Sequence, residues 1–274
     1  MGKKTERLFR ELQGDNKKRA EAAAVELRLL APRHYPRLLA LADHPRATVR
    51  ARLCSALGQL GGYDDSGPRL TRLGVPTLLR LLAHDPRARV RAAAAHALAR
   101  GYHVRPGMLP ALFAAAHDPS KRVRRGVCQA LGGMCWDEGV TAPQCQQLHD
   151  IFLENLSSPD PYLRNWTAFF IHCKKLDSPA LRAALWRLVD DPKDAVRAEA
   201  CATLGLLGDR AIVPYLARQF ESGTVWSWNL DAAVKLGDPA FLPALRRLRK
   251  GYRKTHWFYK SVTTALQAIQ SRVL

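Results

Sequence analysis

The sequence predicts an all-α solenoid, a superhelical stack of about six to seven helix pairs closed by capping helices. Three observations carry that expectation. A turn motif recurs five times, an apolar stripe of helical period follows each copy, and a second apolar-periodic segment separates successive copies. The motif reads HPRATVR from His44, DPRARVR from Asp85, DPSKRVR from Asp118, SPDPYLR from Ser158 and DPKDAVR from Asp191. Its closing arginines, Arg50, Arg91, Arg124, Arg164 and Arg197, are spaced 41, 33, 40 and 33 residues apart. A repeat of that length is one supersecondary unit, which buries its apolar face only by stacking on its neighbours.

After each arginine, small or apolar residues fall three, four and seven positions on: Leu53, Cys54 and Leu57; Ala94, Ala95 and Leu98; Val127, Cys128 and Leu131; Thr167, Ala168 and Ile171; Ala200, Cys201 and Leu204. That is the stripe of a helix packed on one face. Gly58, Gly132 and Gly205 come next and are expected to end these helices with left-handed caps. The other helix of each pair is read over Val75–Ala83, Met108–Ala116, Cys145–Leu156, Ala180–Val189 and Ile212–Phe220. Each runs out near a Pro that opens the following turn or helix. The longer alternate periods map to loops over Gly61–Gly74 and Gly133–Pro143. Asn16–Leu30 and Val225–Leu248 read as degenerate terminal repeats. Gly251–Leu274 reads as a basic capping helix with Phe258, Val262, Leu266 and Ile269 on its apolar side. The chain is thus taken as one repeat domain over 1–274, with the repeats over 15–250.

The Asp-Pro-x-x-x-Val-Arg turn followed by x-x-Ala-x-x-x-Leu-Gly resembles the HEAT-repeat (PBS-lyase-like) family. Residues 158–245, through DPYLRNWTAF, VRAEACATLGLLGDR and LDAAVKLGDPAFLPAL, are similar to a bacterial subgroup of HEAT-repeat domain proteins. The resemblance implies that each repeat arginine pairs with a turn aspartate and with carbonyls of neighbouring repeats. His44 and Ser158 stand where the aspartate is missing, which puts the pairing there in doubt. It also implies that the second helices line a concave binding surface.

Composition narrows the function. The 274 residues carry 43 Lys and Arg against 24 Asp and Glu, a formal charge of +19. The excess gathers at the ends: +8 after Asp238 and +4 in the first 20 residues. A positive surface attracts any polyanion, nucleic acid and acidic protein alike. No apolar run approaches the roughly 20 residues of a membrane span, and Met1-Gly-Lys-Lys leads into charged residues rather than a signal sequence. A cytoplasmic protein is expected, with no membrane and no small-molecule substrate.

Six cysteines raise metal and disulfide chemistry. Cys54, Cys128 and Cys201 fall at the position where other repeats carry Ala, which is a packing position. Cys135 and Cys145, with Asp137, Glu138 and His149 nearby, match no common zinc spacing, so no metal and no cofactor are expected. Walker A, Gly-x-Ser-x-Gly and His-Glu-x-x-His signatures are absent, as are the His-Glu pairs of the HEAT-repeat deoxyhypusine hydroxylases. One enzymatic alternative stands beside a non-catalytic reading. Trp228 and Asp231, near Trp226, resemble the Trp and Asp of HEAT-like alkylpurine DNA glycosylases.

Positions one, two and five after the arginine should face away from the core. There Trp166 and Phe169 would stand exposed among small residues, which suits a binding hot spot. Arg52, His96, Arg125, Gln129 and Asn165 occupy equivalent positions and complete the partner-binding set. A polyanion-binding set comprises Arg87, Arg89, Lys121 and Arg122 on the turns, and Arg246, Arg247, Arg249, Lys250, Arg253, Lys254 and Trp257 near the C-terminus. Interleaved cations and aromatics there suit phosphate contact with base stacking. The expectation is therefore a non-catalytic scaffold that binds an acidic protein, an inhibitor or immunity role included, with nucleic-acid binding as the alternative.

Overall fold

A computed structural model describes residues 2–27, 31–60, 67–100, 107–133, 140–223 and 225–272. Among them are sixteen α-helices and no strand. Contacts divide the chain into two compact units, 1–151 and 152–274, and each is described by itself. The first holds α1 (Lys3–Gln13), α2 (Lys17–Glu26), α3 (Tyr35–Leu39), α4 (Ala47–Leu60), α5 (Gly67–His84), α6 (Ala88–Leu98), α7 (Met108–Ala115) and α8 (Lys121–Gly133). The division falls within α9 (Ala142–Leu156). The second holds α10 (Pro161–Cys173), α11 (Pro179–Leu188), α12 (Asp194–Leu206), α13 (Val213–Ser222), α14 (Ser227–Leu236), α15 (Phe241–Lys250) and α16 (Trp257–Gln270).

In the first unit α4, α6 and α8, which follow the repeat turns, pack side by side, with α5 and α7 as the other layer. In the second, α10, α12 and α14 do the same against α11, α13 and α15. Every stripe residue predicted after the five arginines is buried. The apolar stripe at i, i+3, i+4 and i+7 therefore does here what the pattern requires. Two-layered helix pairs repeated along the chain are an α-solenoid architecture. Among the described residues, no helix is long and apolar enough to cross a membrane.

The repeat arginines act in the same way each time. Nη1 of Arg50, Arg91, Arg124, Arg164 and Arg197 donates to the carbonyl six residues earlier, at His44, Asp85, Asp118, Ser158 and Asp191. This ties the turn to the first coil of its helix. Three of the arginines also grip the aspartate of the following repeat with both remaining nitrogens: Arg50 on Asp85 (2.6 and 3.1 Å), Arg91 on Asp118 (2.7 and 3.1 Å) and Arg164 on Asp191 (2.7 and 2.9 Å). Two-pronged guanidinium–carboxylate pairs of this kind fix geometry as well as energy. Burial alone would raise the Asp85 carboxyl, but Arg50 and the Arg87 N–H outweigh it and hold it below the usual carboxylate range.

The pairing runs one repeat forward, which corrects the expectation at the first motif. His44 leaves Arg50 with a partner all the same, because that partner is Asp85. The carbonyl that each arginine takes belongs to its own turn, not to a neighbouring repeat.

The glycine caps are a second correction. Gly58, Gly132 and Gly205 lie inside α4, α8 and α12, and none of them has a positive φ. At two of them the missing side chain permits close helix approach. A Cβ would come within 3.0 Å of Ala97 Cα at Gly58, and within 2.9 Å of Ala232 Cβ at Gly205. The left-handed residue after α12 is Gly208, three positions later than expected.

The loop over Gly61–Gly74 is shorter than expected, since α5 already begins at Gly67; positions 61–66 lie outside the described residues. Most of Gly133–Pro143 does too, including Cys135, Asp137 and Glu138. At the C-terminus the helix starts at Trp257 rather than 251. Arg253 and Lys254 belong to the turn before it, where the His256 side chain accepts the Phe258 N–H.

Removing a carboxylate from this ladder strands a guanidinium that is nearly out of water: the Arg164 side chain is 12% exposed and Asp191 is 4% exposed. Asp191→Ala is expected to cost about 3–5 kcal/mol in urea unfolding. Asp43→Ala, which breaks the solvated pair with Arg80, should stay within about 0.5 kcal/mol. Equal losses at both positions would contradict a structural role for the ladder.

Candidate functional site

Each unit carries a concavity on the face of its repeat helices. In the first, α4, α6 and α8 bound a trough of about 380 Å³. Its floor is Gly58, Ala92, Ala93 and Ala97, small residues dictated by the close approach of α4 and α6. Arg89, Arg100, Arg122 and His96 stand around it. None of the three arginines makes an ion pair with a described residue. Burial, and then Arg100, lower the His96 pKa. Among the described residues the site is a basic trough with no acid in its lining.

The second unit carries a different feature. Trp166 and Phe169 on α10 are half-buried, and Phe169 touches Trp166 (centroids 5.5 Å apart) and Trp228 of α14 (5.4 Å). Trp226 stacks on Trp228 at 5.9 Å with an interplanar angle of 22° and remains 44% exposed as a rim. Aromatics from α10 and α14 meet because α12 between them presents Ala198 and Ala202. Asn229 anchors the start of α14 by accepting the Trp226 N–H (2.8 Å) and donating to the Ala198 carbonyl (2.9 Å). Together with Asn165 and Glu199, these rings line a cup of about 360 Å³.

Glu199 is the unusual member. It is 1% exposed, and its Oε1 has no hydrogen-bond partner. Two further buried polar atoms at the cup are equally unpartnered, Asn165 Oδ1 and Trp228 Nε1. Unmade hydrogen bonds on buried atoms are uncommon and costly. Burial pushes the Glu199 carboxyl up to about 8; the Trp228 indole lies near enough to draw it partway back, without reaching hydrogen-bond geometry.

Behind the cup, the Thr203 hydroxyl donates to the Ala168 carbonyl (2.9 Å), so its lone pair faces His172 Nδ1 at 3.1 Å. His172 therefore carries its proton on Nδ1, and burial pushes its pKa down to about 4. At 3.6 Å from that nitrogen, Glu199 Oε1 is too far for a hydrogen bond.

The residues predicted to bind a partner are divided by the fold. Asn165, Trp166 and Phe169 come together in the cup, and His96 stands in the trough. Arg52 is spent on the C-terminus of α1, donating to the Leu12 and Gly14 carbonyls, so it is a structural cap rather than a free contact. Arg125 and Gln129 are half-buried on α8.

Of the polyanion set, Arg87, Arg89, Lys121 and Arg122 are exposed in the first unit. Arg246, Lys250, Arg253 and Lys254 are exposed in the second, Arg247 lies 3.6 Å from Glu221, and Arg249 sits over the Tyr259 ring. Trp257 is 62% exposed. Asp231, one helical turn from Trp228, is exposed and does not line the cup.

Positions one, two and five of the last motif, Ala198, Glu199 and Ala202, are buried where the pattern expected exposure. Glu199 escaped the sequence reading for that reason. Its signal was a lone acid between small residues at a position where the preceding repeat carries Trp166.

Because the folded chain binds the Glu199 proton more tightly than the unfolded chain, its stabilising effect is full below about pH 4.5 and is lost as pH rises to about 8. His172 acts in the opposite sense, losing stability as pH falls from about 6.5 towards 4. Glu199→Gln should therefore gain on the parent by a few kcal/mol between about pH 5 and 8.5, with His172 cancelling in the comparison. Superimposable pH profiles of melting would contradict a buried, protonated Glu199.

The family profile described as HEAT repeats matches residues 75–148 and 149–229. Protein YibA of Escherichia coli K12 is 30% identical over 95 residues, 35% of this chain, and the chain spans only about a third (34%) of that relative's length in the match. By structure, the X-ray structure of E. coli YibA superposes with a TM-score of 0.73 at 22% identity, covering 98% of this chain and 93% of that one. A designed armadillo repeat protein solved in complex with the peptide (KR)4 gives a TM-score of 0.53 at 14% identity, covering 75% and 100% of the two chains. With the repeat profile spanning more than half its residues, the chain belongs to the HEAT-repeat family.

Proposed function

We propose that this chain is a non-catalytic scaffold that holds an acidic protein partner on the faces of its repeat helices. The observation that carries the reading is the trough of the first unit, where Arg89, Arg100 and Arg122 stand around a floor of small residues with no ion pair to a described residue. Uncompensated like charges around one concavity repel one another and gain from an anionic occupant. The small floor leaves room for extended backbone to lie against it. Repeat solenoids present curved surfaces suited to such contacts, and the cup of the second unit adds the aromatic side chains in which binding energy concentrates.

A second reading, nucleic-acid binding, is favoured by one place. Trp257 projects beside Arg253 and Lys254 and stacks on His256 at 5.9 Å. An exposed ring among cations suits a stacked base and its phosphate. The glycosylase alternative gains no such support, because Asp231 faces solvent outside the cup.

Fluorescence anisotropy with a labelled Glu/Asp-rich peptide and a labelled DNA duplex, at about 50 and 200 mM salt, separates the two. The peptide is expected to bind more tightly, with Arg89→Glu/Arg122→Glu weakening it at least about tenfold. Tighter duplex binding, with a log–log salt slope near −0.9 per phosphate contact and a peptide affinity indifferent to the double variant, would put nucleic acid first.

A further inference from the structure

We propose that the aromatic cup of the second unit is a binding site for an organic cation that carries N–H donors, the guanidinium of an arginine side chain being the form that fits it best. The site stands independently of the acidic-partner reading, since it lies in the other unit and has the opposite polarity. Four aromatic rings, of Trp166, Phe169, Trp226 and Trp228, present π faces and edges to a space of about 360 Å³. Rings of this kind attract cations through their quadrupoles, tryptophan most strongly, and they stack on planar guanidinium.

Aromatics alone would accept any flat apolar group. The polar atoms narrow the choice. Glu199 Oε1 and Asn165 Oδ1 are both acceptors, both buried and both without a donor. The lining side chains offer only the indole N–H groups and the Asn165 amide nitrogen as donors, and none of them makes a hydrogen bond to either oxygen. A quaternary ammonium would satisfy the rings and leave both oxygens orphaned. A guanidinium brings several coplanar N–H groups to reach them while its face stacks on a ring.

The carboxyl also makes the site selective for charge. Empty, Glu199 is held protonated up to about pH 8 by burial. A cation stabilises the ionised form, so binding and proton release are linked. The titratable groups acting on Glu199 from α10 are His172, neutral above about pH 4, and Cys173. From α14, Trp228 approaches it, while Asp231 and Lys235 are exposed. Among the described residues of α11 and α13, no charged group acts on it.

The test is a titration of the full chain by N-acetyl-arginine amide, followed through the tryptophan indole N–H resonances, with the Trp228 signal assigned by its loss in Trp228→Phe. N-acetyl-citrulline amide, the neutral isostere, and tetramethylammonium serve as the comparison probes. The arginine compound should move the Trp228 and Trp226 signals saturably, with about millimolar affinity. That affinity should rise several-fold between about pH 6.5 and 8.5. Citrulline and tetramethylammonium should bind at least about tenfold more weakly.

Glu199→Gln should remove the preference for arginine over citrulline. Trp226→Ala, at an exposed rim position that the core does not need, should weaken arginine several-fold with its melting temperature unchanged. Citrulline or tetramethylammonium moving the same resonances as effectively as arginine would overturn the proposal. So would arginine binding that neither variant alters. Arg89→Glu/Arg122→Glu should leave the titration unchanged, so failure here is separable from failure of the trough to bind an acidic peptide.

Discussion

The fork that Arg50, Arg91 and Arg164 each make with the aspartate one repeat ahead is the contact on which the rest depends. Small residues along the helices permit close approach but do not choose a register, because an alanine surface slides against another alanine surface with little penalty. A two-pronged, largely buried ion pair does choose. In the second unit, Arg164 at the start of α10 is held on Asp191 just ahead of α12. With both helix starts pinned, Phe169 lies five residues along one helix and Glu199 eight residues beyond the aspartate along the other. The depth at which aromatic and acid meet is thereby set. Asn229 does the corresponding work for α14, bonding the Ala198 carbonyl and so bringing Trp226 and Trp228 to the same level.

The two concavities show how one repeat produces opposite chemistries. Both rest on small residues where neighbouring helices approach. In the first unit the surrounding side chains are long cations that keep their charge in water. In the second they are rings that exclude water, and the acid among them pays the desolvation cost that shows as its raised pKa. A buried carboxyl oxygen kept in such a place without a donor costs the empty fold free energy, which a ligand donating to it would relieve.

Much of the fold was legible because the repeat multiplies its signal. A single i, i+3, i+4, i+7 stripe is ambiguous, whereas five in register with five arginines are not. The glycines misled for a local reason: Gly after a helical stripe usually means a cap, but Gly58 and Gly205 are there to let Ala97 and Ala232 in. That role depends on a neighbouring helix that local pattern does not contain. Likewise the aspartate that Arg50 grips belongs to the next repeat, so His44 looked like a defect and is not one.

The candidate site was half visible. Trp166 and Phe169 stood out as large rings at outward positions, and Trp226 and Trp228 as a dense pair. Their convergence was not visible, because it passes over α12, and Glu199 looked like ordinary solvated surface at an outward position. Arg52 erred the other way, a cation at an outward position that the C-terminus of α1 consumes.

The most direct measurement is a carbon-detected NMR titration of the Glu199 side-chain carboxyl in the full-length chain. If the rings of α10 and α14 close over it as described, its midpoint will lie near 8, with burial the cause. A midpoint near the ordinary 4.5 would mean that water or a partner reaches the carboxyl, and the cup would not exist as a desolvated site.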